Sequence, residues 1–209
     1  MYKFFKILYF FSLFIIFPCT SFAQNNLRSI QDQKKVIINK QYGFKLDYQG
    51  RIIQKTNSEY LIQINKSNPQ DLIYMKVDSR LSVYLPGTYG GWLYYNDKKS
   101  TQTQSGIVST KKDTVNGMVF TRDYWLVYGG EGSWDAIINS YTKYKDKFYI
   151  FSLVHNFLEG MPGIIINNKK STKQEFIIQG LKRMKNKGNV YVRKYNEMLS
   201  SFSFSNISQ

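Results

Sequence analysis

The stretch MVFTRDYWLVYGGEGSWDAIINSYTKYKDKFYIFSLVHNF, Met118 to Phe157, decides the fold. Its first run, Met118 to Tyr128, is rich in aromatic and β-branched residues, the composition of a strand. Gly129-Gly130-Glu131-Gly132 then breaks the pattern, and glycines accept the positive φ that a tight reversal demands. Trp134 to Tyr144 resumes it. Alternation there puts Ala136, Ile138, Ser140 and Thr142 on one face, with Ile137, Asn139 and Tyr141 on the other. Lys145-Asp146-Lys147 turns the chain again, and Phe148 to Phe157 forms the third run. Three such strands joined by short turns predict an antiparallel meander. The glycine run has a competing reading as a phosphate cradle. It lacks the Lys-Ser/Thr of that motif, and it falls between two strands rather than before a helix.

Upstream, the same period of two recurs. Val36-Ile37-Ile38 reads as a first strand, and Gly43 to Tyr48 places Phe44, Leu46 and Tyr48 on one face. Gln49-Gly50 can turn the chain into Ile52-Ile53. Tyr60 to Ile64 and Leu72 to Val77 continue the series, separated by Asn68-Pro69, since proline cannot donate to a ladder. Pro86 to Ser105, with Gly87, Gly90 and Gly91 and a polar Lys98 to Gln102 stretch, reads as an exposed loop with one helical turn around Trp92 to Tyr95.

The C-terminal third changes period. Thr172-Lys173-Gln174-Glu175 has capping-box spacing, and Ile177, Leu181 and Met184 follow at helical intervals. Lys187-Gly188-Asn189 interrupts. A second helix then carries Tyr191, Tyr195, Met198, Leu199 and Phe202 on one face and gives way to Ser201-Phe202-Ser203-Phe204. Many strands followed by terminal helices predict an α+β domain, with an antiparallel sheet flanked by helices.

The N-terminus carries a different message. Lys3 and Lys6 precede an apolar run from Ile7 to Phe17. Pro18 ends it, and Ser21-Phe22-Ala23 offers small residues at the spacing of a cut. The run is shorter than the ~20 residues of a bilayer-spanning helix. The expectation is a signal peptide over 1–23, cleaved between Ala23 and Gln24, then a flexible leader over 24–35 and a single domain over 36–206. Such a protein works in the periplasm or outside the cell, away from nucleic acid. Cys19 is the single cysteine and would leave with the signal, so the mature chain holds neither disulfide nor thiol. Lipidation at Cys19 is the alternative, but Pro18 stands where lipoprotein signals usually place a small residue. The full chain carries 29 basic and 14 acidic residues, a net charge of +15. That excess favours an anionic membrane, an acidic glycan or an acidic protein face.

Four short motifs together resemble the PsbP-like superfamily, which includes DcrB-like bacterial envelope proteins. They are Tyr42-Gly43-Phe44-Lys45-Leu46, the hairpin start Asn116-Gly117-Met118-Val119-Phe120, Phe148-Tyr149-Ile150-Phe151-Ser152-Leu153, and the closing Met198-Leu199-Ser200-Ser201-Phe202-Ser203-Phe204. The resemblance covers about Val36 to Asn206. It implies an α/β/α sandwich, no catalysis and work through protein contacts, although such a fold hosts unrelated roles.

The residues themselves offer little chemistry. His155 is the sole histidine, and with no cysteine in the mature chain an ordinary zinc site lacks donors. Ser152 and Asp146 lie near His155 in sequence, without the Gly-x-Ser-x-Gly elbow of a hydrolase. Asp123 and Asp135 flank one turn and are the carboxylates a secreted glycoside hydrolase would need. Trp92, Trp125 and Trp134 could face a partner or fill the core. Lys173, Lys182, Arg183 and Lys185 form the densest basic surface, on a helix that either docks on the domain or rests on an anionic surface. The leading expectation is an exported accessory protein acting on an envelope protein, with no catalytic, metal or cofactor residues. A module for anionic lipid or glycan is the alternative, and a secreted hydrolase the third.

Overall fold

The central sheet is built from the meander outward. The computed structural model describes residues 33–86, 91–95, 106–130, 133–158 and 170–205, without the side chains of 128–130, 133–134 and 170–174. The signal segment, its Ala23–Gln24 junction and most of the 24–35 leader therefore lie outside the described residues. Strands β9 (Met118–Gly130), β10 (Ser133–Tyr144) and β11 (Lys147–His155) pair in sequence order. Ser133 pairs with Gly130, so the glycine run connects a hairpin. The first strands are β1 (Lys35–Asn39), β2 (Phe44–Tyr48), β3 (Arg51–Lys55), β4 (Glu59–Gln63) and β5 (Leu72–Asp78). Three more precede the meander: β6 (Ser82–Leu85), β7 (Gly91–Tyr94) and β8 (Gly106–Val115). The seven-stranded sheet runs β3-β4-β5-β11-β10-β9-β8, antiparallel throughout.

Two turns show why glycine stands where it does. Between β8 and β9, Asn116 and Gly117 both have positive φ, at 49° and 75°, the requirement of a two-residue hairpin turn. At Gly50, φ is 119° and a Cβ would lie 2.3 Å from the Gln63 carbonyl oxygen, so no side chain fits.

Strand alternation gives the sheet two unlike faces. One carries Tyr60, Ile62, Ile73, Met75, Leu126, Ile138, Phe151 and Leu153 into the main core. Helices α1 (Lys170–Met184) and α2 (Val190–Ser201) pack on it, together with a smaller sheet ordered β1-β2-β12, where β12 is Ser203–Phe204. Asn189 caps α2, its Oδ1 accepting from the Tyr191 and Val192 amides at 2.8 and 3.2 Å. The Tyr195 hydroxyl, fully buried, donates to the Phe151 carbonyl at 2.7 Å and ties α2 to the sheet. Phe202 ends the helix inside a ring of Phe44, Phe120, Tyr149 and Phe151.

The opposite face is covered by the β6–β7 hairpin. A second cluster, Val83, Leu85, Trp125, Val127, Ile137 and Val154, lies between hairpin and sheet. It contains no helical residue. Among the described residues both helices therefore sit on one face, whereas a sandwich flanked by helices was expected. The helical turn expected around Trp92 to Tyr95 is instead strand β7. Four aromatic-rich residues cannot show a period locally, and pairing with Ser82 to Leu85 decides the matter. Strand β8 carried no sequence signal because it is a polar edge, with Lys111, Lys112 and Asp113 near its end. No helix among the described residues is long and apolar enough to cross a membrane.

Candidate functional site

The hairpin face concentrates polar and aromatic chemistry. Lys76 projects from β5 and is 9% exposed. Its ammonium lies 3.0 Å from Asp78 Oδ2 and 3.4 Å from Glu59 Oε1, and 5.2 Å from the rings of both Trp92 and Tyr94. The Tyr94 hydroxyl donates to Asp78 Oδ2 at 3.1 Å, and the Arg80 guanidinium stacks 3.5 Å from the Tyr94 ring centre. Beside them Tyr74 and Tyr84 stack with ring centres 3.4 Å apart, and Trp92 meets both edge-on. Burial alone would lower the Lys76 pKa. The hydrogen bonds and charges of Asp78 and Tyr94 outweigh it and raise the value. Burial likewise pushes Asp78 up, but Lys76, the Arg80 amide and Tyr94 pull its carboxyl below the usual range. Tyr74 is held well above the ordinary phenol value by burial and by Tyr84.

A second network seals the hairpin to the sheet. Asp123, 1% exposed, accepts from the Tyr95 hydroxyl and from Thr110 Oγ1, each at 2.7 Å. The same Tyr95 oxygen accepts from Asn139 Nδ2 at 3.0 Å and from Trp125 Nε1 at 3.3 Å. Asn139 Oδ1 accepts from Ser152 Oγ at 2.7 Å, and Ser152 Oγ accepts from the Tyr84 amide at 3.2 Å. Asp123 thus meets hydroxyl donors, and among the described residues it forms no ion pair. Burial and the Asp123 charge hold the Tyr95 hydroxyl protonated, far above the usual range.

The sequence-predicted residues separate accordingly. Trp92 is half-buried in the aromatic cluster, edge-on to Tyr84. Trp125 is buried under the hairpin. Of Trp134 only the backbone is described, paired with Tyr128. On α1 the side chain of Lys173 lies outside the described residues and Lys182 is exposed. Two of the other basic residues have structural partners. Arg183 donates to the Phe157 carbonyl at 3.2 Å, and Lys185 donates to Ser109 Oγ at 3.0 Å above the Tyr124 ring.

The hydrolase groupings do not assemble. Alternation puts Ser152 on the hairpin face and His155 on the helix face, and Asp146 lies about 30 Å along the strand from His155. Asp123 pairs laterally with Asn139 and Asp135 with Val127. The two carboxylates are therefore four residues, roughly 13 Å, apart along the sheet. That exceeds the ~5–9.5 Å of paired glycosidase carboxylates. Burial raises the Asp135 pKa. His155 finds a partner that sequence proximity missed. Its Nδ1 lies 2.6 Å from Asp71 Oδ1, Asn65 Nδ2 donates to Asp71 Oδ2 at 2.7 Å, and Tyr191 packs on the imidazole ring. Among the described residues no group of three or more potential ligands could hold a metal.

No family model matches the chain, and no curated protein does. It is similar to the solution structure of cyanobacterial PsbP (CyanoP) from Synechocystis sp. PCC 6803. The likeness has 11% identity over 82% of this chain and 92% of that chain, with a TM-score of 0.40. No residue role follows from a likeness at that level.

Proposed function

We propose that this chain is an exported, non-enzymatic accessory protein that binds an envelope protein through the hairpin face of its sheet. One observation carries the reading: Trp92, Tyr84, Tyr94 and Arg80 form a half-exposed cluster on a hairpin rigidly bonded to the sheet. Trp, Tyr and Arg are the residues that dominate binding energy at protein interfaces, because they bury much area at small entropic cost. Tyr94 is held by Asp78 and Arg80, and Trp92 by Tyr74, Tyr84 and Lys76, so little ordering remains to be done on binding. Export rests on the Met1 to Ala23 pattern. The finer placement, among PsbP- and DcrB-like envelope proteins, belongs to the same proposal and rests on the four motifs.

The test is crosslinking in cells with a C-terminally tagged chain, followed by mass spectrometry. One recurrent envelope protein is expected with the native chain. The Trp92→Ala, Arg80→Ala double variant should lose it while keeping its unfolding midpoint within a few degrees. Undiminished capture by a folded variant, or no recurrent protein at all, would sink the reading.

A further inference from the structure

A separate feature lies at the other end of the meander. The β9–β10 ladder stops at Thr121–Tyr141. Beyond it each strand stays paired to its outer neighbour, Met118 with Val115 and Tyr144 with Lys147, while the two part from one another. Thr142 Oγ1 donates to the Val119 carbonyl at 2.9 Å, so a side chain bridges where a backbone amide would have done. The parting leaves an open cleft of about 450 Å³. That volume falls within the ~300–1,000 Å³ of small-molecule sites.

The walls are mainly apolar: Met118, Val119, Tyr141, Tyr144, Phe148 and Phe204. Val119 is 57% exposed and Tyr144 43%, large fractions for side chains of this kind. Phe204 stacks on Tyr144 at 4.0 Å and fixes one wall. The rim is basic. Lys143 lines the cleft with its ammonium 5.4 Å from the Phe148 ring centre, and Lys145 lies over Tyr144. Among the described residues neither lysine forms an ion pair. Among the described residues no acidic one lines the cleft.

We infer that this cleft binds a single-chain anionic amphiphile, a long-chain carboxylate, with its chain between the parted strands and its head on Lys143. An apolar slot alone would take any hydrocarbon. The unpaired cation beside it selects the negative head. The site is independent of the Trp92 surface, which lies on the hairpin.

Dodecanoate and dodecyltrimethylammonium, both below their micelle concentrations, are titrated into the full mature-length chain while backbone amide NMR shifts are followed. Dodecanoate should move the amides of 118–121 and 141–144, and the cation should bind far more weakly. Lys143→Gln should weaken dodecanoate about threefold at low salt, the effect of one exposed charge pair. Val119→Asp should weaken it at least about tenfold, because it puts a charge against the hydrocarbon. Val119 is a surface position, and the unchanged spectrum of Lys143→Gln serves if Val119→Asp fails to fold. Trp92→Ala should leave the affinity unchanged, which separates this site from the interface proposed above. Equal binding of both amphiphiles would overturn the inference. So would shifts outside the cleft, or binding only to phosphatidylglycerol vesicles.

Discussion

The two faces of the seven-stranded sheet are held by different physics. On the helix face a continuous apolar cluster runs from Tyr60 and Ile62 through Phe151 to Phe202, and α2 adds Val192, Tyr195, Met198 and Leu199. Burial of that area is non-directional and sums over many side chains. On the hairpin face the apolar cluster is small. Directional bonds orient the cover instead: Tyr95 to Asp123, Asn139 to the Ser82 carbonyl at 3.2 Å, and Tyr94 to Asp78. A cover positioned by bonds can carry its aromatic residues half-exposed, whereas one positioned by burial must hide them. That contrast is the reason for proposing the hairpin, rather than the helices, as the interface.

The largest test of the contrast is Phe202→Ala, which removes a ring touching five other aromatic residues. It should cost about 3–5 kcal/mol in urea unfolding, because the cavity cannot collapse around rigid neighbours. A loss near 1 kcal/mol would mean that the helix face is not the main anchor. Tyr95→Phe should cost about 1–3 kcal/mol, since it leaves the Asn139 and Trp125 donors and one Asp123 acceptor unsatisfied. Amide exchange should then speed up in β6 and β7 well before α2. Uniform acceleration would erase the distinction between the faces.

The smallest effects are in pH dependence, and they run in opposite directions. Asp78 has a depressed pKa, so its contribution is present above the ordinary carboxylate range and lost as pH falls through the lower folded value. Asp78→Asn should therefore be less stable than the native chain at neutral pH, with the gap closing in acid. Asp135 has a raised pKa from burial, so the fold bears a penalty at neutral pH that protonation relieves. Asp135→Asn should be the more stable at neutral pH, and its advantage should vanish as pH falls. Parallel unfolding series from pH 3 to 8 read both signs, and the same sign for both variants would contradict the assigned environments.

The sequence alone determined the elements whose cause is local. Alternation specified β9, β10 and β11 to within a few residues. Helical spacing specified α1 and α2, because a period is written in neighbours along the chain. The turn at Asn116-Gly117 was expected only through the family resemblance, which reads it as a hairpin start. Four residues of β7 were too few to show a period, and β8 wore the charges of an edge. Only the tertiary structure decided which groups meet. His155 pairs with Asp71, 84 residues away, rather than with Ser152 or Asp146. Tyr95 meets Asp123 at a separation of 28, and Lys185 leaves the basic surface to hold Ser109, 76 residues distant. Each of those partners is chosen by strand order and by which face a residue takes. Sheet topology sets both, and it has no expression in the spacing of residues along one strand.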